Sequence, residues 1–255
     1  MKSLQGKRIL VTRPRAQAAD LCDKLIGLGA QPIVFPTIEI APLEDTSKLD
    51  RAMSELAKYQ WIIFTSANGV KAFWDRLDLL GFQNLTGLPY RIAAIGPATA
   101  QALTQRHIKA NLIPEEYIAE AIVKSIGDVS GQCILLPRAD IAREALAIEL
   151  RKRGAIVDEV AAYRTLPAEP DPEGFAELKC GVDVITFTSS STVRNFVALV
   201  GKDTGEAINA CIGPITLQTA LECGFSVDVM ATEYTVDGLV QALVDYYARV
   251  IVQES

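Results

Sequence analysis

A single histidine, His107, stands among the 255 residues. Nucleophilic catalysis of the Ser/His/Asp or Cys/His kind would have to run through it. His107 lies where an amphipathic helix gives way to a strand, and it reads as a polar helix-end residue. Cysteines number five (Cys22, Cys133, Cys180, Cys211 and Cys223), with no CxxC pair and no histidine nearby in sequence. That odd, scattered set excludes a disulfide framework and a zinc-ligand spacing, and it predicts buried, reduced thiols and no bound metal. No stretch approaches the ~20 uncharged apolar residues of a membrane helix. The N-terminus passes from Lys2 and Lys7 straight into a strand-like run, without a signal-peptide core, so a cytoplasmic protein is expected. A formal charge of −6 argues against nucleic acid as a partner. No GxGxxG follows the first strand and no GxxxxGK[ST] occurs, which removes the usual dinucleotide and P-loop sites. The Thr12–Arg15 loop carries two arginines and a proline where an FMN loop would carry hydroxyls and stacking aromatics. No cofactor is expected. With 49% hydrophobic and 22% charged residues, the chain is an ordinary globular one, long enough for one large or two small domains.

What the chain does have is an internal repeat. Ile9-Leu-Val-Thr-Arg-Pro-Arg15 matches Ile134-Leu-Leu-Pro-Arg-Ala-Asp140, and each is followed by an amphipathic helix ending in Gly-Ala (Gly29-Ala30, Gly154-Ala155). Ile62-Ile-Phe-Thr-Ser66 returns as Val184-Ile-Thr-Phe-Thr-Ser189, and Ile95-Gly-Pro-Ala-Thr99 as Ile212-Gly-Pro-Ile-Thr216. The offsets, 134 − 9 = 125, 189 − 66 = 123 and 213 − 96 = 117, keep one order along the chain.

Strands are predicted near 8–12, 32–35, 60–64, 91–95, 132–136, 156–162, 183–187, 208–212 and 227–230. They are short and uniformly apolar, as parallel strands covered on both faces are. Helices are predicted near 15–28, 48–58, 68–79, 97–106, 117–127, 140–153, 190–200, 214–223 and 235–251. The fold class is therefore α/β: two flavodoxin-like, three-layer domains, each on a parallel sheet. Two proline-marked extended segments, Pro36–Pro42 and Tyr163–Pro172, leave the boundary open. The chain divides once near 130, or it crosses twice.

In open α/β sheets, ligands bind beyond the carboxyl ends of the strands. The turns there are rich in small hydroxyls and glycine: Thr12-Arg-Pro-Arg15, Thr65-Ser66-Ala-Asn68-Gly69, Gly96-Pro-Ala-Thr99, Pro137-Arg138-Ala-Asp140, Thr188-Ser189-Ser190-Ser-Thr192 and Gly213-Pro-Ile-Thr216. Any one of them is explained by ordinary helix capping. Six, facing the mouths of two neighbouring domains, predict a cleft of anion-binding helix ends. Arg13, Arg15, Arg138 and Arg194 are expected at helix starts, where the helix dipole does not favour a cation, and they read as local positive charge. Asp140 and Glu233 are acids near the loops that the repeat does not single out.

On these motifs, with Phe64-Thr-Ser-Ala-Asn-Gly-Val70, Tyr163-Arg-Thr165 and Tyr234-Thr-Val, the chain resembles the uroporphyrinogen-III synthase family along essentially its whole length. The resemblance implies a hydro-lyase of tetrapyrrole (haem, chlorophyll, cobalamin) biosynthesis, whose substrate is hydroxymethylbilane, a linear tetrapyrrole with eight carboxylates. Loss of the terminal hydroxyl gives an azafulvene on ring A. The substituted carbon of ring D attacks it, and a spiro intermediate fragments and recloses with ring D inverted. Tyr163 matches the family tyrosine near the departing hydroxyl. Its implied role is catalytic, with Thr12, Arg13, Arg15, Ser66, Asn68, Gly69, Gly96, Thr99, Arg138, Thr188, Ser189, Ser190, Gly213 and Thr216 holding the substrate. The resemblance favours the double crossing: 1–36 with 168–255 as one domain, 43–160 as the other, and linker strands 37–42 and 161–167. It implies a monomer that needs no cofactor and makes transient contact with hydroxymethylbilane synthase.

Two readings from other classes compete. A two-domain receptor for a small anion would share the architecture, but a periplasmic one needs a signal peptide and a regulator needs a basic helix-turn-helix. A sugar-nucleotide transferase would carry charged diphosphate ligands and be larger.

Overall fold

The computed structural model describes residues 3–82, 90–142 and 144–253; residue 143 of the predicted helix 140–153 and the chain ends 1–2 and 254–255 lie outside the described residues. The chain opens with β1 (Arg8–Val11), α1 (Arg15–Gly27), β2 (Gln31–Val34) and β3 (Ile38–Ala41). It continues through α2 (Ser47–Ser54), β4 (Trp61–Phe64), α3 (Ala67–Leu79), β5 (Arg91–Ala94), α4 (Pro97–Thr104) and α5 (Ala119–Ser125). β6 (Cys133–Ala139), α6 (Ala145–Lys152), β7 (Ile156–Pro167) and α7 (Pro172–Lys179) follow. Last come β8 (Val184–Phe187), α8 (Ser190–Val200), β9 (Ile208–Cys211), α9 (Pro214–Glu222), β10 (Val229–Met230) and α10 (Val236–Gln253).

These elements form two compact units, one of Met1–Glu39 with Leu166–Ser255 and one of Ile40–Thr165. The first holds a sheet of order β2-β1-β8-β9-β10, parallel at every step. This is the flavodoxin-like order. The second holds β3-β7-β6-β4-β5, parallel from β7 to β5. An isolated parallel bridge from Ala93 to Leu112 continues it past β5.

Burial explains the apolar strands. β4 (Trp-Ile-Ile-Phe) and β8 (Val-Ile-Thr-Phe) are buried at every position. Alternate residues feed opposite layers: Ile62 and Phe64 pack with Phe73 and Trp74, whereas Trp61 and Ile63 pack with Leu146 and Leu150. In the first unit, Ile9 and Val11 meet Leu21, Leu239 and Leu243, while Leu10 meets Phe187, Phe196 and Phe225. At ~25 cal/mol per Å2 of apolar surface removed from water, such two-sided burial dominates the stability of each sheet. Gly29 and Gly154 end equivalent helices at φ 87° and 85°, a left-handed conformation that suits glycine.

The repeat takes a particular form in space. β1 and β6 are equivalent, as are β2 and β7, β8 and β4, and β9 and β5. Each sequence copy is therefore divided, half to each unit, and each sheet is assembled from one half of both copies.

Two helix expectations need correction. The predicted helix at 140 starts instead at Ala145, because β6 runs on to Ala139 in register with β7. Helix α7 replaces the end of a segment expected to be extended. Asp171 caps it through Gly174 N–H (3.4 Å), Pro172 takes its first turn, and Phe175 and Leu178 pack beneath the sheet. The linker strands expected at 37–42 and 161–167 correspond to β3 and to the end of a continuous β7, both in the second sheet. His107 does lie at a helix end, just past α4, with φ 59° and its N–H bonded to Thr104 O (2.9 Å). Of the thiols, Cys22 and Cys211 are buried, Cys133 and Cys223 partly so, and Cys180 is exposed, against expectation.

Candidate functional site

In the second unit the carboxyl ends of β4 and β7 converge on Tyr163. Along β7 the pairing with β6 runs Pro137 to Val160 and Arg138 to Ala161, then skips Ala162 so that Ala139 meets Tyr163. Strand residues alternate in face. The skipped residue lets Tyr163 join Val160 and Ala162 in one layer instead of falling on the opposite face. Asp140 braces the irregularity: its N–H donates to Tyr163 O (3.1 Å) and its Oδ1 accepts Thr165 N–H (3.1 Å).

Tyr163 as a residue is 7% exposed. Its oxygen lies 3.0 Å from Ser66 Oγ, and the Asn68 side chain also hydrogen-bonds it. Ser66 caps α3 by accepting Gly69 N–H (3.0 Å), so its own hydrogen is available to the phenol oxygen. Between Ser66 and Tyr163 either hydroxyl can donate, so the pair can pass a proton along. Burial raises the phenol above its ordinary pKa, the Ser66 and Asn68 hydrogen bonds act against that, and Asp140 reinforces it. At neutral pH the group holds a proton it can give. Tyr163 and Asn68 line a cavity of about 320 Å3 whose wall includes Ile40, Leu43, Leu49 and Ala72. In the first unit, a larger hollow of about 720 Å3 lies at the amino ends of β8 and β9.

The other predicted residues meet varied fates. Ser189 is the equivalent cap of α8, closing a capping box with Thr192, and Ser190 Oγ is 2.7 Å from Thr219 Oγ1. Thr188 is half-buried beside them. Thr12, Thr99 and Thr216 are 0%, 4% and 4% exposed. Thr12 donates to Thr186 O (2.6 Å), while Thr186 donates to Leu10 O (2.8 Å), tying β1 to β8. All three are buried in this structure. Gly69 is required by closeness, since a Cβ there would sit 3.1 Å from Pro137 O.

Gly96 and Gly213 have an origin that the motif alone does not reveal. Both are extended, and a Cβ would lie 3.0 Å from the Tyr117 ring in one case and 3.2 Å from the Tyr234 ring in the other. The two tyrosines stand at the same offset as their glycines, 234 − 117 = 117 and 213 − 96 = 117. That shared spacing was the available signal for Tyr117, and it was missed.

The arginines separate. Arg15 is exposed at the start of α1 and pairs with Asp171 (2.7 Å). Arg194 lies inside α8 rather than at its start, 4.0 Å from Glu222. Arg138 is on β6, paired with Glu159 (2.5 Å) and donating to Ala142 O (3.1 Å). Arg13 follows β1; its Nε is buried with no hydrogen-bond partner among the described residues. Glu233 is exposed before α10. No helix among the described residues is long and apolar enough to cross a membrane.

Two flavodoxin-like sheets built from one duplicated sequence, with a braced, proton-bearing tyrosine at a strand end, define a class of doubly wound α/β proteins with a polar site on the carboxyl edge. Within that class, the chain belongs to the uroporphyrinogen-III synthase family: the family model described as uroporphyrinogen-III synthase HemD matches residues 18–241. It is 39% identical to the uroporphyrinogen-III synthase of Synechococcus elongatus, over 96% of this chain and 97% of that one. It is 30% identical to that of Chlorobaculum parvum, over 88% and 92%. In fold it is similar to the crystal structure of a mutant uroporphyrinogen III synthase from Thermus thermophilus (TM-score 0.68, 19% identity, covering 96% of this chain and 100% of that one). The Helicobacter pylori structure is similar too (TM-score 0.59, 17% identity, 94% and 99%).

Proposed function

We propose that this protein is a uroporphyrinogen-III synthase, a cytoplasmic monomeric hydro-lyase that converts hydroxymethylbilane to uroporphyrinogen III with inversion of ring D. The observation that carries the reading is the buried, protonated Tyr163 phenol, hydrogen-bonded to Ser66 and Asn68 beside an apolar cavity. In a family member, that proton goes to the leaving hydroxyl of ring A, as a general acid. Departure of water leaves the azafulvene, and the substituted carbon of ring D closes on it. The rest of the task is positioning, since the unaided chain closes through the nearer, unsubstituted carbon to give isomer I. Helix starts at Ser66 and Ser189 supply N–H groups and hydroxyls for carboxylates without a broad basic surface, which suits a chain of charge −6. The cavity beside Tyr163 has room and apolar lining for a pyrrole ring.

Product identity tests this better than rate, because the substrate also cyclises unaided. Purified protein with no added metal or cofactor should give predominantly type III after oxidation and chromatography. Ser66→Ala combined with Ser189→Ala should let type I rise as positioning weakens. Type I alone from folded wild-type protein would end the synthase reading, and a protein that merely slows closure would be a binding protein of the same fold.

A further inference from the structure

Comparing the two repeat copies residue by residue isolates one cation. Arg13 and Arg138 are equivalent, 138 − 13 = 125, each two residues beyond the last shared position of its strand, Val11 and Leu136. The neighbouring strands are in the same register: Val11 pairs with Val34, and Leu136 with Glu159, where 159 − 34 = 125. Glu159 is the acid that neutralises Arg138, at 2.5 Å, with side chains 13% and 17% exposed. At that place the first unit has Val34. Arg13 thus occupies the position of a neutralised structural arginine with its acid replaced by a hydrocarbon. Asp20, the acid acting on it along α1, is itself committed to Lys24 at 3.3 Å. The Nε–H of Arg13 is buried with no acceptor among the described residues.

A buried cation without a counter-charge is costly, and a removed acid ordinarily leaves a destabilised protein. A fork of guanidinium N–H groups matches a carboxylate in two parallel hydrogen bonds. We infer that Arg13 recognises one side-chain carboxylate of the tetrapyrrole, which supplies from outside the negative charge that Glu159 supplies to Arg138 from within. This rests on the function proposed above and narrows its arginines to one, with Arg138 a structural cation.

The test compares Arg13→Met, Arg13→Lys and Arg138→Met with wild type in two measurements. The first is the thermal midpoint without ligand and with added uroporphyrin III, an octacarboxylate. Without ligand, Arg13→Met should melt at or above the wild-type midpoint, because a largely desolvated charge is gone, whereas Arg138→Met should melt lower because its buried ion pair with Glu159 and its bond to Ala142 O are lost and Glu159 keeps only the more exposed Arg151. Uroporphyrin III should raise the wild-type midpoint and raise that of Arg13→Met much less. The second is the KM for hydroxymethylbilane, expected to rise roughly 10–100-fold in Arg13→Met, the size of one charge-assisted bond, with Arg13→Lys in between. A lowered midpoint or loss of fold in Arg13→Met would make Arg13 structural and overturn the proposal. So would an unchanged KM from a wild type that makes type III, which leaves the synthase reading intact. If wild type makes only type I, the synthase reading fails, and the response to uroporphyrin III alone decides for or against an anion site at Arg13.

Discussion

At the scale of single residues, the proposed chemistry rests on Tyr163. Three features shape its surroundings: a skipped residue in the β6–β7 pairing, hydrogen bonds with Ser66 and Asn68, and burial that keeps the group protonated. Tyr163→Phe removes only the hydroxyl and should fold as wild type while turnover falls roughly 10–100-fold. Residual activity is expected, since the azafulvene forms slowly without help. The sign of the pH effect follows from the direction of the shift. A phenol raised above its ordinary pKa keeps its proton to higher pH, so the Tyr163-dependent part of the rate should persist beyond about pH 10. A rate–pH profile of both proteins checks this, and equal turnover at every pH would reduce the tyrosine to packing. Position and motif already singled out Tyr163, Ser66 and Asn68. The fates of the arginines were not legible, because they depend on which residues the fold brings beside them, such as Asp171 for Arg15, 156 residues away.

At the scale of elements, α2 and α3 are joined by the two-bond fork of Arg76 on Asp50, both contacts 2.6 Å. The hydrogen bond from Arg76 lowers the Asp50 pKa against the opposing effect of desolvation. A carboxyl depressed on folding contributes stability above its unfolded pKa of about 3.9, and loses it as pH falls through the lower folded value. Wild type should therefore be more stable than Asp50→Asn at pH 7, and the gap should close below about pH 4. Denaturant midpoints across that range measure it, and a gap independent of pH would show that the pair contributes nothing through its charge. Both groups are partly exposed, so the gap will be modest.

At the scale of the whole molecule, the division of each repeat copy between two units makes a strong statement about folding. The second unit is contiguous, Ile40–Thr165, whereas the first needs both chain ends. A fragment of residues 38–167 keeps β3 and β7 whole and should unfold cooperatively on its own. The fragment 1–130 holds two strands of one sheet and three of the other, without the central β6 and β8, and should not. Circular dichroism melts of the two decide, and the reverse outcome would show that the repeat copies, not the observed units, are the folding modules.

Short-range pattern carried most of the architecture in the sequence. Uniformly apolar tetrapeptides such as Trp61–Phe64 and Val184–Phe187 state two-sided burial directly, and the repeated order of turns states a duplication. Capping serines announced α3 and α8 because a cap is a contact between residues three apart. Helix α7 went unread although Asp171 and Pro172 mark its start, since the prolines around them favoured an extended reading. Only the tertiary structure decided which half of each copy joins which sheet, and that Val34 holds in the first sheet the register position that Glu159 holds in the second. It alone bends β7 at Ala162 to aim Tyr163, and it alone buries Thr12, Thr99 and Thr216. Those outcomes depend on strand register and on pairings between residues distant in sequence, where a shift of one position exchanges the buried and exposed faces and no local pattern records the choice.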